Sequence, residues 1–172
     1  MRRRNAAKSP LDEMNQALGE FLTEMGRVEF TMLMVVDLVS DAGIEHLFDE
    51  YAAKTFGGKV NWFNEWCAHC DENFSDANKK RLQKTYKDLD ELLPKRNSLV
   101  HGETYEEEFR GAGKQTYRVG VEKDNLEYLE EFSRGEKKGT IFNVQQVREA
   151  TELCARIRAN LNAIRGVTTP LR

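Results

Sequence analysis

Cysteine is scarce in this chain, and neither a single charge sign nor a long apolar run dominates it. Three cysteines, an odd number without disulfide-like spacing, exclude a disulfide framework and point to a reducing compartment. The basic start Met1 to Arg4 is not followed by the apolar segment of a secretory signal, so no export is expected. The most apolar stretch, Phe30 to Val39, is too short to span a bilayer and contains Asp37. Lysine and arginine number 26 against 29 aspartates and glutamates, a net charge of -3, which excludes a general nucleic-acid coat. Any RNA binding then has to come from a local basic face or from a groove shared between subunits. A cytoplasmic protein without membrane association is expected.

Signals for a bound metal or cofactor are equally thin. Cys67 and Cys70 bracket His69 in C-A-H-C, but no second ligand pair lies at zinc-site spacing, and a helix would spread these side chains. Gly57, Gly58 and Lys59 lack the remainder of a phosphate-binding loop and read as a turn. Trp62, Phe63 and Trp66 could stack on bases, yet their helical spacing suits a core. Neither metal nor cofactor is expected.

What the chain does have is helical periodicity. Its 172 residues suit one domain, preceded by a polar, basic tail at residues 1–8. Ser9 as N-cap, Pro10 at the first helical position, and Asp12 and Glu13 in the first turn open a long helix. Leu11, Leu18, Met25, Met32 and Val39 recur along it every seven residues, with Met14, Phe21, Val28 and Val35 between them. A break at Asp41 to Gly43 precedes a shorter helix, outlined by Ile44, Leu47, Phe48 and Tyr51, and then an aromatic segment from Val60 to Cys67. Asp76 reads as the cap of the next helix, which Pro94 should kink or restart. Tyr105 to Arg110 and Gln115 to Glu122 alternate as strands about a turn at Gly111 to Gly113, and Thr140 to Val144 suggests a third. Asn143 and Gln146 form a capping box for a final helix that runs to Gly166. The expected fold is mainly α, an antiparallel helical bundle with a small β insertion, residues 103–142, before the last helix.

Lys95 to Gly102 read K-R-N-S-L-V-H-G and close the helix that begins near Asp76. Asn97 and His101 lie four apart and share a face, so Asn97 can orient or assist the imidazole. Arg96 is offset around the axis, but its long side chain can bend toward a phosphate held beside His101. Gly102 is a natural helix stop, which puts His101 in the last turn. Together they supply a permanent cation, an amide and an imidazole, the kit of metal-independent phosphodiester chemistry. With fourteen arginines and three histidines, the bare spacing arises by chance in roughly a quarter of such chains, so the weight falls on its place at a helix end.

Two further patterns bear on this string. Extending the heptad Leu82, Leu89 puts Arg96 in an apolar slot, and extending Leu22, Val36 does the same for Glu29. An unpartnered buried charge is costly, so a Glu29 to Arg96 ion pair is expected. Lys79, Lys80, Arg81, Lys84, Lys87 and Lys95 outnumber Asp88, Asp90 and Glu91 along the same helix, a local basic surface able to track a phosphate backbone or simply a solvated face.

The R-N-S-L-V-H-G string resembles the R-x4-6-H motif of the HEPN superfamily, small helical bundles many of which are metal-independent endoribonucleases. The resemblance covers the helical parts, residues 9–101 and 143–166. It implies Arg96 and His101 as catalytic residues, Asn97 as the common polar residue after the arginine, and Glu29 as the acidic residue from an earlier helix. It also implies a homodimer in which two motifs form one composite cleft, with RNA cut by its own 2'-hydroxyl. The roles it suggests are a toxin or a phage-defence factor, with an antitoxin or other protein as partner. Glu103 stands where one toxin branch of the family carries a tyrosine, and the insertion is not part of the minimal bundle. A catalytically silent HEPN-like scaffold, binding a nucleotide or a protein, is the alternative.

Overall fold

A computed structural model describes residues 9–109, 113–120 and 140–166. Among them run the helices α1 (Pro10–Val39), α2 (Ile44–Ala52), α3 (Phe56–His69) and α4 (Asp76–His101), the strands β1 (Glu103–Phe109), β2 (Gly113–Gly120) and β3 (Thr140–Phe142), and the final helix α5 (Val144–Ile164). The fold is mainly α with a small antiparallel sheet before the last helix, the class expected from the sequence. Residues 1–8, Arg110 to Ala112 with most of the turn expected there, the strand end expected at 121–122, the charged run from Lys123 to Gly139 and residues 167–172 lie outside the described residues.

Helix starts follow local chemistry. The backbone N–H of Asp12 donates to Ser9 Oγ at 3.1 Å, and the N–H of Ser9 donates to the Asp12 carboxylate at 3.3 Å. Asn143 and Gln146 make the same reciprocal exchange, both bonds at 2.9 Å. Each box satisfies donors that a bare helix start leaves open. At α4 the cap is Ser75, whose Oγ accepts from the N–H of Asn78, so Asp76 occupies the first turn instead of capping it. Pro94 does not restart the helix: α4 is continuous from Asp76 to His101. The bond lost at proline would have gone to the carbonyl of Asp90, an exposed position where water can replace the donor.

The Gly57-Gly58 pair, expected to turn, lies instead in the first turn of α3. Thr55 caps that helix by accepting from the Gly58 N–H at 3.2 Å. Phe56, Val60, Phe63 and Cys67 then fall on one buried face. Two glycines cost a helix about 1 kcal/mol each relative to alanine, whereas fully burying one large apolar side chain returns about 1.5–3 kcal/mol. Burial wins.

The chain forms two compact units, one from residues 1–22 and 95–150, the other from 23–94 and 151–172. Within the second, α3 and α4 run antiparallel. Gly57 lies beside Leu93 at one end, and the Phe63 and Tyr86 rings meet edge-on at 6.1 Å further along. The α4 and α5 segments are antiparallel as well. The Asn78 amide donates to the Ile164 carbonyl at 3.4 Å, and Arg156 approaches Asp88 at 3.5 Å. Arg158 of α5 bonds Glu24 of α1 at 2.9 Å, and Trp62 of α3 donates its Nε1–H to Glu50 of α2 at 2.9 Å. Val28, Met32, Leu47, Phe63, Leu89, Leu92, Ile157 and Leu161 form the fully buried centre of this unit.

In the first unit, β1 and β2 pair antiparallel from Glu103↔Val119 to Phe109↔Gly113. β3 extends the sheet through Arg118↔Phe142, Val119↔Ile141 and Gly120↔Thr140. Thr104, Arg118 and Phe142 therefore line up across one face, and Glu103, Val119 and Ile141 across the other. Among the described residues Met14, Ala17, Phe21, Leu99, Val119, Phe142, Val147 and Ala150 are this unit's buried apolar side chains.

Candidate functional site

The end of α4 carries the R-N-S-L-V-H string and meets the sheet at once. Ser98 and Leu99 are buried, anchoring the last turns, while Arg96 and Asn97 are half-buried and His101 is exposed. Arg96 donates Nη1–H to the Asn97 amide oxygen at 3.2 Å. Asn97, expected to orient His101, thus serves the arginine. Adjacent residues on a helix point about 100° apart, but the long arginine stem folds back across the gap.

What ends this helix is an arginine that the sequence reading did not single out. Arg118 of β2 donates Nε–H to the Leu99 carbonyl at 2.7 Å, Nη2–H to the Val100 carbonyl at 3.3 Å and Nη1–H to Thr104 Oγ1 at 2.9 Å. Two carbonyls that the helix end leaves without intrahelical partners are satisfied by one guanidinium. Burial lowers the pKa of Arg118 and the nearby Glu103 carboxylate acts against that, but a guanidinium stays charged throughout the physiological range. The electronegative end of the α4 dipole is thereby matched by a fixed cation from the strand.

Gly102 joins the two elements by closeness of approach. A Cβ there would lie 2.3 Å from the Val119 carbonyl oxygen and 2.6 Å from that of Ser98. Among the described residues the glycines with positive φ are Gly43 and Gly166, so Gly102 stops the helix without the left-handed conformation that a glycine terminator commonly adopts. It is the one residue type that leaves room for the strand backbone.

Glu29 belongs to the other unit, and its carboxylate is taken by Lys59 of α3 at 2.5 Å. Lys59 supplies the cation that the seam reading expected from Arg96. Both side chains are largely shielded, Lys59 16% and Glu29 23% exposed, and the ammonium also sits 5.0 Å from the centre of the Tyr51 ring. Tyr51 in turn donates its O–H to the backbone carbonyl of Glu29 at 2.7 Å. Leu22, the heptad position before Glu29, is 51% exposed, so the row that made Glu29 look like a core position is not uniformly buried.

Of the expected RNA-contacting lysines, Lys80, Lys84 and Lys87 are exposed, and their i, i+4, i+7 spacing sets them on one stripe. Lys79 is bound to Asp71. Lys95 is half-buried and falls in the unit that holds the motif. Elsewhere, Cys67 and Cys70 are buried thiols, His69 packs its ring edge-on to Trp66, and His46 pairs with Glu50 at 3.3 Å. Among the described residues no group of three or more His, Cys, Asp or Glu side chains is placed to hold a metal ion. None of their helices is long and apolar enough to cross a membrane.

Comparison with protein-family models, with curated proteins and with solved structures finds no match.

Proposed function

We propose that the protein is a metal-independent, HEPN-type endoribonuclease acting as a homodimer. The observation that carries this reading is the Arg96 to Asn97 hydrogen bond, which holds a cation at the same helix end that presents an exposed His101. In the proposed reaction the ribose 2'-hydroxyl attacks the adjacent phosphate, the 5'-oxygen leaves, and a 2',3'-cyclic phosphate remains. His101 transfers a proton and Arg96 stabilises the charge that develops on the phosphorane. On a helix the two residues stand about 140° apart with a rise of about 7.5 Å. A second copy facing this surface would bring a partner histidine or arginine to the same phosphate. Lys80, Lys84 and Lys87 offer a track for the RNA backbone, and a toxin or phage-defence role with a protein partner is consistent with such an activity.

The test is cleavage of a mixed RNA pool in chelator. His101→Ala and Arg96→Ala should each lower the rate by about 100-fold or more, with wild-type products ending in cyclic phosphate. Asn97→Ala should lose activity that Asn97→Asp, which keeps an acceptor for Arg96, retains. Equal cleavage by wild type and the His101 and Arg96 variants would overturn the reading. The pairing of Glu29 with Lys59 favours a second reading, a catalytically silent scaffold of the same fold class, because it occupies the carboxylate assigned to the site. RNA binding without any cleavage, unchanged by His101→Ala, would select it.

A further inference from the structure

Between Val28 and Ala53 the chain holds six carboxylates and neither lysine nor arginine. Two are engaged: Glu29 by Lys59, and Glu50 by Trp62 and His46. Asp37, Asp41, Glu45 and Asp49 form no ion pair with a described residue. The same stretch leaves large apolar side chains in water. Phe30 is 61%, Leu38 58%, Phe48 54% and Ile44 40% exposed. Phe30, Met34 and Leu38 follow one another at i, i+4 and i+8 on α1, on the side away from buried Val28, Met32 and Val35. Ile44 and Phe48 repeat the spacing on α2. Phe30, Met34, Ile44 and Phe48 flank a groove of about 540 Å³ between these helices, with Glu45 and Asp49 in its wall.

We propose that this groove docks a basic amphipathic helix of a partner protein. The inference goes beyond the nuclease reading and does not depend on it. The apolar stripe from Phe30 to Leu38 is about 12 Å long, a length that two to three turns of a helix cover with anchors at i, i+3 or i+4, and i+7. The charge pattern selects the occupant. A second copy placed face to face by a two-fold axis would set Glu45 and Asp49 in the groove wall against the same two carboxylates. An anionic lipid surface would meet the same repulsion. Lysines and arginines flanking an apolar stripe would instead pair with the rim as the stripe fills the groove. Phe30 and Phe48 are the anchors, since aromatic side chains at the centre of a desolvated contact carry most of its energy.

The probe is a dye-labelled helical peptide with leucines at i, i+3, i+4 and i+7 and lysines elsewhere, titrated with the full chain and followed by anisotropy. A second peptide has every lysine replaced by glutamate. The expected results are saturable binding of the basic peptide, weakening with salt, and none of the acidic one. Phe48→Ala and Phe30→Ala should each weaken binding by about tenfold or more, and Glu45→Lys with Asp49→Lys should do the same. These positions are exposed, so helix content by circular dichroism should be unchanged in every variant. Equal binding of both peptides, or wild-type binding by the variants, would overturn the proposal. So would sedimentation showing a dimer that Phe48→Asp dissociates, which would make a second copy the occupant.

Discussion

Arg118 donates its Nε–H to the carbonyl of Leu99 across 2.7 Å, a bond that spans nineteen residues of sequence and ties the middle strand to the end of α4. Its second bond, to Val100, and its third, to Thr104, make one side chain the joint between helix, connecting glycine and hairpin. The string that carries Arg96, Asn97 and His101 is shaped from the sheet side as much as by its own helix.

Replacing Arg118 by methionine keeps most of the apolar stem and removes the donors. Hydrogen bonds from charged groups contribute about 1.5–3 kcal/mol, so urea unfolding should show a loss of that order. Amide exchange should accelerate at the last turn of α4. Lysine should restore only part, because an ammonium cannot reproduce the guanidinium fork. A wild-type exchange pattern in the methionine variant would show that the helix end does not depend on this side chain.

Two glycines should respond in opposite directions to the same substitution. Gly102→Ala places a methyl group against the Val119 and Ser98 carbonyls at 2.3 Å and 2.6 Å, and the strand must move. The expected cost is about 1–3 kcal/mol or more. Gly26→Ala adds a methyl group with nothing within 4 Å in the exposed interior of α1, and should stabilise by about 0.5–1 kcal/mol. Thermal melting of the two variants beside wild type checks both signs.

Burial pushes the thiols of Cys67 and Cys154 up to about 12 from an ordinary value near 9.0. The native state therefore holds protons that the unfolded chain releases above about pH 9. Their contribution to stability is complete below about pH 9 and is lost as pH rises toward about 12. Within that window each thiol lowers stability by about 1.4 kcal/mol per pH unit. Denaturant midpoints should fall steeply there, and Cys154→Ala should make the fall shallower. A flat profile up to about pH 11 would contradict it. The same burial should keep both thiols unreactive to alkylation in the native protein.

Helix starts governed by local chemistry were legible: the Ser9 to Asp12 and Asn143 to Gln146 exchanges need only residues three apart. The three strands were also legible, because alternation is a short-range signal. Lys59 was not, and the reason lies two residues earlier. A turn at Gly57-Gly58 would leave Lys59 on no helix face, and the heptad seams alone then point from Glu29 to Arg96. Thr55 followed three residues later by an N–H to cap, with apolar residues at 56, 60, 63 and 67, was the available signal. Arg118 left no comparable mark. A strand arginine that reaches back over a helix end looks the same in sequence as one that faces water, since the difference lies in pairing register and in the space that Gly102 leaves open. The candidate site was legible as a list of residues and not as a set of partnerships.

Because Arg118 and Val119 provide the cap and the backbone against which Gly102 closes, the last turn of α4 is completed by residues synthesised after it. A nascent chain that has emerged only as far as Gly102 already contains every residue of the string, yet its helix end lacks its fixed cation and its packing surface. Truncation before β2 would therefore leave the whole string in the chain and remove both the cap and the wall that complete its last turn.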